Sequence, residues 1–171
     1  LVPTEADWIR AITGREFILV FGHTLFSSFI ATAAAIVFGF LFAYGINYTD
    51  MPCKRFFQVI ALLPTMAPSV VTGLAFIMLF GRRGFITWQL LHLKVDLYGP
   101  FGLWVAQTIA FFPLAYITIS GVLKSISPNL ELAAQNLGAR GWYLFRTVTL
   151  RLATPGLASA FLLVAINSLA D

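Results

Sequence analysis

The residues that could coordinate a metal, move a proton or attack a carbon are few: two histidines, one cysteine and seven acids in 171 residues. Cys53 has no second cysteine for an internal disulfide and no neighbour at metal-ligand spacing, so it reads as an inert loop thiol. His92 has no second His, Cys or carboxylate at such spacing and reads as an interfacial histidine. His23 lies inside a long apolar run, where an ionisable group is a functional candidate by default, although it sits near the boundary of that run. No nucleophile is paired with a base, and no G-x-x-x-x-G-K-[ST] phosphate loop is present. The sequence therefore argues against an enzyme, and no catalytic, cofactor-binding or metal-binding residue is expected.

The most informative stretch is a polar connection, SISPNLELAAQNLGARGWYLFRTVTLRLATPG, which reads as helix, turn, helix. Ser127 suits a cap, Pro128 the first helical position, and Gly138 the left-handed residue that ends a helix. Leu130, Ala133, Ala134 and Leu137 then share one face at helical spacing. A second amphipathic segment follows, with Trp142, Phe145 and Val148 on one side and Arg140 and Arg146 offset from them. Such a segment is mechanically suited to a push received from a soluble partner, but from amphipathicity alone it reads rather as an ordinary amphipathic loop packed on lipid headgroups.

The elements that hold this connection are set by hydropathy. Hydrophobic residues make up 59% of the chain and charged residues 11%, with mean hydropathy +0.86, which is far too apolar for a domain with a wet surface. Four windows, 17–49, 56–81, 97–123 and 152–170, contain no Asp, Glu, Lys or Arg, and a bilayer core needs about 20 apolar residues per helix. The expected fold is an all-α polytopic membrane bundle with helices at about 17–47, 56–80, 98–123 and 152–170 and a connecting loop at about 127–150. Residues 1–16, with Trp8 and balanced charge, read as an extramembrane or interfacial segment, and 85–93 as a short helix at the interface. Ser27, Ala31, Ala35, Gly39 and Ala43 form a small-residue stripe for close helix packing, while Pro64 and Pro68 bend the second window, beside a pathway or simply against neighbours. With no initiator Met and no tail beyond Asp171, the chain reads as a fragment of a larger protein. The basic residues sit between apolar runs rather than on one face, which suits lipid headgroups and not nucleic acid.

The run Ala133-Ala134, three residues, Gly138, nine residues, Val148-Thr149-Leu150 resembles the EAA loop of ABC-importer permeases, Glu-Ala-Ala, three residues, Gly, nine residues, Ile-x-Leu-Pro. The family's Glu position falls on Leu132, with Glu131 one place earlier, and its Pro position on Arg151. The resemblance implies an inner-membrane permease subunit of a bacterial ATP-driven importer, whose loop docks in a cleft of an ATPase subunit. The residues so implied in coupling are Leu130, Glu131, Leu132, Ala133, Ala134, Leu137, Gly138, Ala139, Phe145, Val148 and Leu150. It further implies a second permease half or a homodimer mate, an extracytoplasmic solute-binding protein, lipid around the helices, and ATP used by the partner, with no cofactor in this chain.

Thr24-Leu25, Leu63-Pro64, Pro68, Tyr98-Gly99, Gly102 and Pro113 resemble the ferric-iron branch, implying ferric iron as solute. Related branches carry 2-aminoethylphosphonate, thiamine, polyamines or sulfate. The family core resembles five or six helices, more than the four windows here. If the EAA-like loop is cytoplasmic, Lys54, Arg55, Lys124, Arg140, Arg146 and Arg151 lie inside, and Arg10, Arg15, Arg82, Arg83 and Lys94 outside. That balance leaves orientation to the motif rather than to the positive-inside rule. An energy-independent channel or carrier is the alternative of a different class; it would call for intramembrane acids or basic residues as filters or relays, and the four windows carry no Asp, Glu, Lys or Arg.

Overall fold

The computed structural model describes residues 14–49, 51–66, 69–81, 84–86 and 99–170. Its regular elements are helices: α1 (Arg15–Tyr48), α2 (Lys54–Met66), α3 (Ser69–Phe80), α4 (Pro100–Ser125), α5 (Pro128–Asn136), α6 (Gly141–Leu144), a π-helical turn (Phe145–Thr149) and α7 (Leu150–Ala170). Three stretches are long and apolar enough to cross a bilayer: Arg15–Tyr48, Pro100–Ser125 and Gly141–Ala170. The chain is thus a multi-pass membrane protein. Only 28% of the apolar window of each span is buried, so most of its apolar side chains face outward, as lipid-facing side chains must.

Within the second expected span, 56–80, the described residues form α2 and α3. Pro64 lies inside α2, where its missing N–H removes one backbone hydrogen bond of the helix. Pro68 falls outside the described residues, as do residues 1–13, Arg82, Arg83, the stretch 87–98 with His92 and Lys94, and Asp171.

The bundle centres on the pair α1 and α4. Ser28, Ala31, Thr32, Ala35, Gly39, Ala43 and Ile46 form the buried stripe of α1. At Gly39 an added Cβ would stand 2.8 Å from Ala115 Cβ and 3.0 Å from the Tyr116 backbone nitrogen. Lipid tails are as apolar as leucine, so close backbone approach replaces the hydrophobic effect as the source of helix association here. Two side-chain hydrogen bonds join the same helices near opposite ends: Trp104 Nε1 donates to Ser27 Oγ at 2.7 Å, and Asn47 Nδ2 to Ser120 Oγ at 2.9 Å. Ser27 is half-buried rather than part of the tight stripe, and this bond is what it contributes.

The remaining helices pack on that pair. Phe42 of α1 meets Phe57 of α2 and Phe112 and Tyr116 of α4 edge-on, with ring centroids 5.4–6.1 Å apart. Gly156 of α7 sits directly against Val122 of α4, and a Cβ there would overlap the valine side chain. Ala153, Ala160 and Val164 continue that buried face of α7.

Candidate functional site

The polar connection follows α4 at the end of the bundle where α1 finishes. Ser127 takes the position before α5 with extended backbone (φ −65°, ψ 127°), and Pro128 opens the helix. The Ser127 hydroxyl makes no capping hydrogen bond, contrary to the expectation; its carbonyl instead accepts from Leu130 N at 3.1 Å. The backbone turn is therefore set by Pro128 and by that carbonyl.

The helix ends as Gly138 allows. Gly138 has φ +91°, its N–H bonds the Gln135 carbonyl at 2.9 Å, and the Ala139 N–H bonds the Ala134 carbonyl at 3.0 Å. This pair of bonds around a left-handed glycine is a Schellman motif, which satisfies carbonyls that the last helical turn leaves open. Gly141 is a second glycine with positive φ, +51°, and the sequence reading did not single it out. Between the two, Arg140 is extended (φ −139°, ψ 152°), so the chain reverses within a few residues and enters α6.

The loop presents one apolar face outward and ties another to the bundle. Leu130, Leu132 and Leu137 are exposed, Leu137 to 90%, and Ala133 and Gly138 are exposed with them. Ala134, which shares the Leu130 face by spacing, is half-buried, and Ala139 is buried. Phe145, Val148 and Leu150 are half-buried. Trp142 stacks on Phe145 with centroids 5.1 Å apart and is itself 73% exposed. Phe145 in turn meets Tyr44 at 5.0 Å and Phe40 at 6.1 Å, which anchors the loop to the final turns of α1.

Glu131 supplies the polar half of the anchor. It is half-buried, and its Oε1 accepts from the Thr149 hydroxyl at 2.9 Å. Tyr48 lies beside the Glu131 carboxylate and stacks on Tyr44 at 5.1 Å. One carboxylate thus ties α5 to the π-helical turn, beside the end of α1. Tyr44, Tyr48 and the hydroxyl role of Thr149 escaped the sequence reading; the available signal was the i, i+4 pair of tyrosines at the polar end of an apolar helix.

The π-helical turn makes this geometry possible. The Leu150 N–H reaches back to the Phe145 carbonyl, an i→i+5 bond that widens the helix locally. Thr149, on this turn, is buried, and the helix then continues unbroken through α7. Gly141–Ala170 therefore forms one continuous rod from the loop into the membrane.

At the opposite end of the bundle, His23 lines a cavity of about 640 Å³ together with Thr24, Ser27, Trp104, Gln107 and Ser168. Among the described residues no group of three His, Cys, Asp or Glu side chains could hold a metal ion. Cys53 is exposed in the turn before α2, at φ 59°.

Residues 35–171 match the model of the family described as binding-protein-dependent transport system inner membrane component. The chain is 33% identical over 172 residues to a putative ferric transport system permease protein of Haemophilus influenzae, covering 95% of this chain and 27% of that protein. It is 32% identical over 180 residues to the molybdenum transport system permease protein of Escherichia coli, covering 100% of this chain and 71% of that protein. It is 29% identical over 167 residues to the sulfate transport system permease protein of the same organism, covering 97% of this chain and 60% of that protein. The chain spans about a quarter of the length of the ferric relatives that it matches.

Proposed function

The chain belongs to the family of binding-protein-dependent transport system inner membrane components, the permeases of ABC importers, and from that premise we propose that 127–150 is its coupling loop to an ATPase subunit. The carrying observation is the two-sided loop. Leu130, Leu132 and Leu137 face outward at a position where a soluble partner could cover them, while Glu131 and Phe145 bind the inner side to α1 and to the rod that becomes α7. A displacement of α5 by a partner is thereby passed to two spanning helices, because packed interfaces shift as bodies rather than deform continuously.

In this reading ATP is bound and spent by the partner. The permease path is completed by a second permease half or a homodimer mate in a bacterial inner membrane, and a solute-binding protein delivers the solute from outside. The coupling residues are Leu130, Glu131, Leu132, Ala133, Ala134, Leu137, Gly138, Ala139, Phe145, Val148 and Leu150. The solute is ferric iron on the strength of the ferric relatives, with sulfate or molybdate as the second reading supported by the other two.

The deciding experiment is Leu137→Asp in the full-length permease. Its side chain is almost wholly solvent-exposed, so the fold should tolerate a charge, whereas an apolar cleft would not. Normal membrane abundance with loss of ATPase copurification is the expected result. Copurification and solute uptake equal to the parent protein would remove the coupling assignment.

A further inference from the structure

The cavity at the end of the bundle remote from the loop is lined by side chains that the coupling reading leaves without a task. Thr24 and Ser27 come from the first third of α1, Trp104 and Gln107 from the start of α4, and Ser168 from the end of α7. At 1.5 Å per helical residue, Ser27 lies about 30 Å along α1 from Tyr48, where Glu131 is held, a separation that matches a bilayer core. The loop and the cavity thus occupy opposite membrane faces. With the loop on the ATPase side, the cavity opens on the side from which solute arrives.

Its chemistry is specific. Ser168 is 3% exposed, and among the described residues its hydroxyl has no hydrogen-bond partner although it lines the cavity. Gln107 Oε1 is likewise buried without a partner. Leaving a buried hydroxyl unpaired costs about 1–3 kcal/mol, so such a group beside a roomy cavity whose lining is otherwise largely apolar, with Val20, Phe26, Leu103 and Leu169, marks a place where something binds. Ser27 Oγ accepts the Trp104 indole N–H, which directs the serine's own proton away from that bond. The His23 imidazole adds a further N–H. No carboxylate is among the described lining residues, whereas a bare hard cation seeks anionic oxygen ligands. Hydroxyl and imidazole donors are the groups that meet negatively charged oxygens, and Gln107 Oε1 can accept from the water that such a ligand carries.

We propose that this cavity is an outward-facing binding site for a solute that presents anionic oxygens, with Ser168, Ser27 and His23 as its donors. The inference rests on the permease reading for its orientation. The oxygens have two possible sources: a free tetrahedral oxyanion, or the carboxylates of a chelated metal. The volume, about 640 Å³, accommodates a hydrated oxyanion or a small chelate.

The test uses the full-length permease in right-side-out vesicles, with Thr24→Cys as the reactive thiol after Cys53→Ser and removal of any other cysteine. Among the described residues the Thr24 hydroxyl bonds its own helix, to the Val20 carbonyl at 3.0 Å, so this replacement spares the proposed donors. The rate of modification by a membrane-impermeant methanethiosulfonate is measured with sodium sulfate, sodium molybdate, ferric citrate, citrate alone, and sodium chloride at matched ionic strength. At least one oxygen-bearing anion should slow modification several-fold while chloride does not. Ser168→Ala should raise the protecting concentration about tenfold, the loss of one hydrogen bond to a charged group. Protection by sulfate or molybdate identifies a free oxyanion, protection by ferric citrate alone a chelate, and protection by citrate alone the carboxylate itself. Equal rates under all conditions, or protection unchanged by Ser168→Ala, would overturn the site. ATPase copurification from the same membranes reads the coupling assignment separately. If the ATPase is retained but protection is absent, the cavity proposal fails alone; labelling only from the ATPase side overturns both.

Discussion

Glu131 Oε1 accepts a hydrogen bond from Thr149 Oγ at 2.9 Å across 18 residues of chain, closing the outer loop onto the turn that begins the last spanning helix. The contact gives the loop a defined inner face, and the first prediction follows from it. Glu131→Ala removes the acceptor of Thr149 and leaves the buried Thr149 hydroxyl unpaired, at a cost of about 1–3 kcal/mol. Uptake should fall about tenfold or more with membrane abundance unchanged. Glu131→Gln, which keeps an acceptor oxygen, should retain most activity. Equal, near-normal uptake by both variants would show that the carboxylate does not hold the loop.

Thr149→Val deletes the donor while keeping the shape. Because both changes act on one bond, the double variant Glu131→Ala/Thr149→Val should lose clearly less than the sum of the single losses. Full additivity in uptake, measured as a double-mutant cycle, would mean that the two residues act separately.

At Gly138 the backbone stands at φ +91°, with open space around the position a Cβ would take. Any penalty there is conformational rather than steric crowding. Gly138→Val should strain the turn by about 1–2 kcal/mol and abolish uptake without lowering insertion, whereas Gly138→Asn, which tolerates the left-handed region, should be milder. Ala134→Trp should also impair coupling, and exposed Gln135→Ala should be near-neutral. Normal uptake by both Gly138→Val and Ala134→Trp would return the loop to an amphipathic connection on the membrane surface.

The contact between α1 and α4 gives a stability prediction. Gly39→Ala places a methyl 2.8 Å from Ala115 Cβ and 3.0 Å from the Tyr116 nitrogen, so a helix must shift. Overpacking of this kind costs about 1–3 kcal/mol. Thermal unfolding in detergent should come several degrees earlier, and Ala115→Gly should restore part of the loss, because it clears the methyl but not the backbone. An unchanged melting temperature in Gly39→Ala would contradict the close approach.

Topology is checked by thiol labelling. Cysteine introduced at Asn129, at the start of α5, should react only from the cytoplasm, and cysteine introduced at Thr24, at the cavity, only from outside. Reaction of both from the same side would remove the proposed orientation.

Some of this protein was legible in its residues alone because the causes are local. A bilayer tests each segment's hydropathy independently, so charge-free windows announced membrane helices, and Gly138 announced its turn because only glycine adopts φ +91° without penalty. The alanine and glycine stripe of α1 was visible as a period of four, and Leu137 as the end of an apolar face. The second window was marked as apolar in the same way, and its described residues are helical in α2 and α3.

What only the tertiary structure decided concerns partners. Glu131 stands one place before the position at which the EAA-like pattern carries its acid, and nothing in the sequence says that it meets Thr149. Ser27 with Trp104 and Gly39 with Ala115 are pairs of the same kind. Each is set by how α1, α4 and α7 rotate and slide against one another. That alignment minimises the packing energy of all the helices at once, so no single segment encodes it, whereas insertion and turn geometry are settled within a few residues of chain.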